Sequence, residues 1–183
     1  MIPLLAATNA SAEGGFVKRN RLLILILVTL ATLVAYPCSF IIIPHEIDPN
    51  EKQLDNFAPS PPQMSLLSVK RGRGLQPDGS GSSCDDIGEI ILKLDEVTQD
   101  DRTPPDKMGY LWQVKDGQPP SELEPLPRPV RLSVDGLLSV WWVDGATDEQ
   151  EPLEFSVTVT AFDLAGNPSQ PSASIQIRHP GNK

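Results

Sequence analysis

The chain has 183 residues, room for one ordinary domain plus a leader or linker. Nineteen prolines and thirteen glycines exclude a helical domain, and two cysteines exclude a disulfide-dense scaffold, allowing one bridge at most. The formal net charge of −9 is uneven: residues 1–21 set Lys18, Arg19 and Arg21 against Glu13, residues 22–43 carry no charge, and the acidic remainder excludes nucleic acid and anionic headgroups as its partners.

In chain order, Lys18-Arg19-Asn20-Arg21 precede an apolar run, LLILILVTLATLVAY over 22–36, then Pro37-Cys38-Ser39 and Phe40-Ile41-Ile42-Ile43. A basic flank before an apolar run is the positive-inside arrangement, so residues 1–21 are expected in the cytoplasm and residues 44–183 on the other side. Three readings compete for 22–43. As a transmembrane helix, its 22 uncharged residues rise ~33 Å at ~1.5 Å each, enough for a hydrocarbon core of ~30 Å. As a lipoprotein signal, it places Cys38 where a lipidated cysteine would stand, although Ala35-Tyr36-Pro37 lacks the small residue expected just before it. As a cleaved signal, 22–36 has the right length, but Leu33-Val34-Ala35 and Pro37 make a poor peptidase site. They rank in that order. Val17 is an alternative start, since VKRNRLLILI is itself a compact leader.

Residues 44–63 are polar and Pro-rich, which predicts an extended tether. Seven alternating runs follow. Met64–Val69 is the first, ending at the basic Lys70–Arg73 patch, and 74–86 form a flexible connection. Ile90, Leu92 and Leu94 make the second, and Tyr110, Trp112 and Val114 the third. Residues 118–129 carry too many prolines for a central strand. Val130, Leu132 and Val134, then Asp135-Gly136, then 137–143 predict a hairpin. Phe155, Val157, Val159 and Ala161 make the clearest strand, and Ala173, Ile175 and Ile177 the last, before a short tail at 180–183. The predicted fold is all-β: a seven-stranded antiparallel sandwich over 64–179, preceded by one N-terminal transmembrane or signal helix.

Met108-Gly109-Tyr110-Leu111-Trp112-Gln113-Val114, and Phe155-x-Val157-x-Val159-x-Ala161 followed by Asp163-Leu164-Ala165-Gly166-Asn167, resemble the third and penultimate strands of a fibronectin type III or related immunoglobulin-like module. The Asp163–Asn167 turn is similar to turns of such modules in bacterial surface proteins, and Pro171 fits the resemblance too. It covers roughly residues 60–179. Two positions depart from the family pattern: Leu94 stands where a core Trp is usual, and Phe155 where a tyrosine-corner hydroxyl is expected. Trp112, Trp141 and Trp142 are then the candidates for the aromatic core. The resemblance implies a module of the bacterial cell envelope.

Few residues suggest chemistry. Asp144, Asp148, Glu149, Glu151 and Glu154 form an acidic run, and Asp144, Asp148 and Glu149 are candidate Ca²⁺ ligands, though without EF-hand spacing. No other cofactor is expected. His45 and His179 are the only histidines, and neither has a Ser/Asp or Cys partner nearby for a nucleophilic triad. Cys84 is paired with Cys38 or packs alone; the sequence leaves this open. Trp141 and Trp142 face opposite sides of a strand, so one of them is a candidate contact residue. The expected function is a non-enzymatic, membrane-attached envelope protein that displays a sandwich for protein interaction, adhesion or scaffolding. Its attachment runs through 22–43 or a lipidated Cys38, and its partner is an unknown protein or glycan. Alternatives are a carbohydrate- or calcium-binding surface module and an accessory subunit of an envelope complex.

Overall fold

The structure, a computed structural model, describes residues 42–72, 85–123, 125–144 and 150–181. Six strands form two antiparallel sheets. β1 (Gln63–Lys70), β2 (Ile87–Glu96) and β4 (Leu137–Val143) make one, in the order β1-β2-β4. β3 (Gly109–Gln118), β5 (Leu153–Phe162) and β6 (Ile175–His179) make the other, in the order β3-β5-β6.

One core joins them. Ile90, Leu92, Leu138, Val140 and Trp142 come from the first sheet; Tyr110, Trp112, Phe155, Val157, Val159, Ala161 and Ile177 come from the second. Each predicted inward residue of β5 is buried, because period 2 sends every second side chain to one face; Ser156, predicted to face outward, is buried as well. Burial also raises the pKa of the Tyr110 phenol, against the opposing effect of its hydrogen bond to Thr98 Oγ1 at 3.0 Å.

Two strands depart from their predicted alternation, and each carries a bulge. In β1 the register shifts between Leu66 and Ser68, so Met64, Leu66 and Val69 pack on the core while Leu67 is exposed. In β3 it shifts between Val114 and Asp116, and the strand continues past the core with residues 113–118 exposed. Val114 therefore does not share the burial of Tyr110 and Trp112.

The predicted seventh strand at 130–134 does not form; among the described residues there are six strands rather than seven. Val130 forms single bridges to Tyr110 on one side and Pro44 on the other. Its N–H and C=O are both used by Tyr110, at 3.0 and 2.7 Å, which commits it to the β3 sheet. The turn at Asp135-Gly136 does form, with Gly136 at φ 73° and its N–H on Ser133 O. Beyond it the chain enters the other sheet, where β4 pairs with β2, so the turn is a crossing between sheets and not a hairpin.

Residues 44–62 do not run free as a tether. The His45 N–H bonds to Pro129 O at 3.0 Å, the Asp48 N–H to Leu164 O at 2.7 Å and the Ser60 N–H to Gln99 O at 2.8 Å. His45 Nε2 reaches Asp163 O at 2.8 Å, and the Asn167 side-chain amide donates to Asp55 O and Phe57 O. The segment is a strap, with a one-turn helix α1 (Glu51–Leu54) in its middle. Its prolines cannot enter a ladder, but the loops supply partners for the backbone around them. Ile43 O also accepts from the Arg131 N–H. The predicted transmembrane segment thus overlaps the folded domain at Ile42 and Ile43. Among the described residues no helix is long and apolar enough to cross a membrane, and residues 22–41 lie outside them.

After β5, Pro168 and Pro171 lack the N–H a ladder needs, and serines beside them stand in. Ser169 Oγ accepts from the Ala161 N–H at 2.9 Å and Ser172 Oγ from the Val159 N–H at 3.0 Å. This delays β6 until Ile175 and leaves Ala173 exposed, where a strand residue was predicted.

Candidate functional site

Asp144, at the end of β4, is the most heavily bonded carboxylate described. Arg71, just past β1, grips it with Nε at 2.7 Å from Oδ2 and Nη2 at 2.9 Å from Oδ1, a bidentate pair with both side chains under 10% exposed. The Gly72 N–H donates to Oδ2 at 2.7 Å, Trp142 Nε1 to Oδ1 at 2.9 Å and Gln150 Nε2 to Oδ2 at 3.2 Å. Gln150 also donates to Gly72 O, and Arg71 Nη1 to Glu151 O. Asp144 is thereby a clamp that ties the end of β1 to β4 and to the approach to β5. Asp148 and Glu149, the other predicted calcium ligands, lie outside the described residues, as do Cys38 and Cys84.

The paired tryptophans separate as strand geometry requires. Trp142 is 4% exposed and lies over Gly88 of β2, so closely that a Cβ there would sit 2.2 Å from its ring. A glycine is what lets this cross-strand pair close. Trp141 is half-buried on the opposite face, its Nε1 on Glu89 Oε1 at 2.9 Å. It lines an apolar cavity of about 290 Å³ with Ile42, Ile43, Leu126, Leu132 and Leu137, whose rim includes the fully exposed Val134.

A third cluster escaped the sequence reading. Asp55 of the strap and Asp100 and Asp101 of the β2–β3 loop each place a carboxylate oxygen within 4.8 Å of the others. Asp100 Oδ2 accepts from the Arg102 and Thr103 N–H groups at 3.0 and 2.6 Å, and Asp55 Oδ1 from the Phe57 N–H at 2.9 Å. The nearby Arg102 guanidinium bonds to Glu51 at 2.8 Å and has its pKa raised, first by that bond and charge, with Asp55 and Asp101 adding to it. The only signal in the sequence was the Asp100-Asp101 pair in a turn-rich stretch; its partner stands 45 residues upstream.

Among the described residues neither histidine meets a nucleophile: His45 is buried on Asp163 O, and His179 Nδ1 accepts from the Gly181 N–H. No protein-family model matches the chain, and no curated protein matches it.

Proposed function

We propose that this chain is a non-enzymatic envelope protein, held at a membrane by its N-terminal apolar segment, which displays an immunoglobulin-like sandwich for interaction with another protein. The observation that carries the reading is the apolar cavity beside Trp141. Ile42, Ile43, Leu132 and Leu137 surround a half-buried indole at the surface, an arrangement the core does not require and one typical of contact sites. The strand orders β1-β2-β4 and β3-β5-β6 support the immunoglobulin-like assignment, because they match A-B-E and C-F-G of such sandwiches, with Val130 in place of a further edge strand. Attachment follows from the basic flank and the apolar run. With Ile42 and Ile43 joined to the domain, the uncharged run 22–41 is still long enough for the proposed span, since ~1.5 Å per helical residue gives ~30 Å, the thickness of a hydrocarbon core.

The test is a photo-crosslinking residue placed at Val134, on the cavity rim, with Leu67 on the exposed side of β1 as the control. A discrete adduct from position 134 that is absent from position 67, and lost when Trp141→Ala is added, is the expected result. No adduct, or the same adducts from both positions, contradicts the interaction reading.

A further inference from the structure

We infer that Asp55, Asp100 and Asp101 form a calcium site that fastens the 42–62 strap to the β2–β3 loop. Three carboxylate oxygens within 4.8 Å of one another match the spacing of donors around one ion, since Ca²⁺–O distances of about 2.3–2.6 Å put opposite ligands roughly 5 Å apart. Independently of that spacing, Asp55 is 98% buried, and among the described residues its Oδ2 has no hydrogen-bond donor; neither has the buried Asp100 Oδ1. Buried carboxylate oxygens are costly without a partner, and two of them in one cluster call for a shared cation.

Protein donors do not meet that need. The Phe57, Arg102 and Thr103 N–H groups all go to the other oxygen of their carboxylate. Arg102 is bonded to Glu51, so one guanidinium stands against four carboxylates. The donor set is oxygen only, without His or Cys, which selects a hard cation over zinc. Asp101 is exposed, leaving that side of the ion open to water, and Ca²⁺ accepts such irregular coordination more readily than Mg²⁺. Because Asp55 lies on the strap and the other two on the loop, occupancy links strap docking to ion concentration. The inference does not depend on membrane attachment or on the Trp141 surface.

The test is calorimetric titration of CaCl₂ into the detergent-solubilised, EDTA-stripped full chain, with thermal denaturation in parallel. Saturable binding of one ion and a rise in Tm with Ca²⁺ but not with equimolar Mg²⁺ are expected. Asp101→Asn, at an exposed position that leaves packing intact, should weaken binding about tenfold or more, since affinity follows ligand charge count. Asp55→Asn should do at least as much; if it does not fold, Asp101→Asn decides. The paired change Asp148→Asn and Glu149→Gln should leave binding unchanged. Absence of saturable heat up to about 10 mM, tenfold beyond the weakest extracellular modules, overturns the site. So does wild-type affinity in Asp101→Asn, or loss of binding in the 148/149 variant.

Discussion

Asp144→Asn should lower the unfolding free energy of the chain by about 3–5 kcal/mol, the usual cost of stranding one member of a buried ion pair. The Arg71 guanidinium would keep its buried position but lose its counter-charge; the Gly72 N–H and the Trp142 indole N–H bond different oxygens, so one would face the weaker amide oxygen and the other the amide NH2. Urea unfolding followed by tryptophan fluorescence measures the change. Replacing both partners, as Arg71→Met with Asp144→Leu, should recover only part of the loss: it removes the stranded charge but leaves those two N–H groups without an acceptor. Arg178→Ala supplies the contrast, because its pair with Glu154 at 3.1 Å is exposed on both sides, and such pairs contribute about 0–1 kcal/mol. Equal losses from Asp144→Asn and Arg178→Ala would show that the clamp is not buried as described.

Trp142→Ala should cost about 3–5 kcal/mol, the range for truncating a large aromatic in a packed core. It uncovers Gly88, whose missing side chain cannot fill the space, and also removes a donor from Asp144. Trp141→Ala, one residue away, should cost about 1 kcal/mol, because its ring is half-buried and its hydrogen bond to Glu89 lies near the surface. The same denaturation series measures both. The alternation of a strand sets the difference: the inward indole packs in the core, and the outward one is half-buried beside Glu89. A larger loss from Trp141→Ala would reverse that assignment of faces.

What was legible in the sequence follows from the range of the interactions that set it. β5 could be read outright, since Phe155, Val157, Val159 and Ala161 repeat with period 2 and need no partner to be recognised. β1 could be located but not its inward face past Leu66, because a bulge adds one residue without marking the sequence. Val130–Val134 had the alternation of a strand and a proper turn after it. What the pattern omitted was that Tyr110 takes both backbone groups of Val130 and draws the arm into the other sheet. The proline count of 44–63 suggested an extended tether. Proline prevents ladder pairing but not docking, and the strap finds its partners in loops more than 35 residues away along the chain.

The sites follow the same rule. Asp144 stood out as acidic, but its meaning lies in Arg71, 73 residues earlier. Asp55 and the Asp100-Asp101 pair meet only because the strap passes the β2–β3 loop. Trp141 and Trp142 were separable from sequence into one core and one outer ring because adjacency in a strand fixes opposite faces; which was which depended on Gly88 across the ladder.

Intact-mass analysis of the membrane fraction is the decisive test of the proposed display of this domain from a membrane. The chain should be recovered in that fraction, either with residues 22–41 retained or as a form beginning at Cys38 with added acyl mass. Recovery solely as a soluble species trimmed of everything before the strap would contradict it.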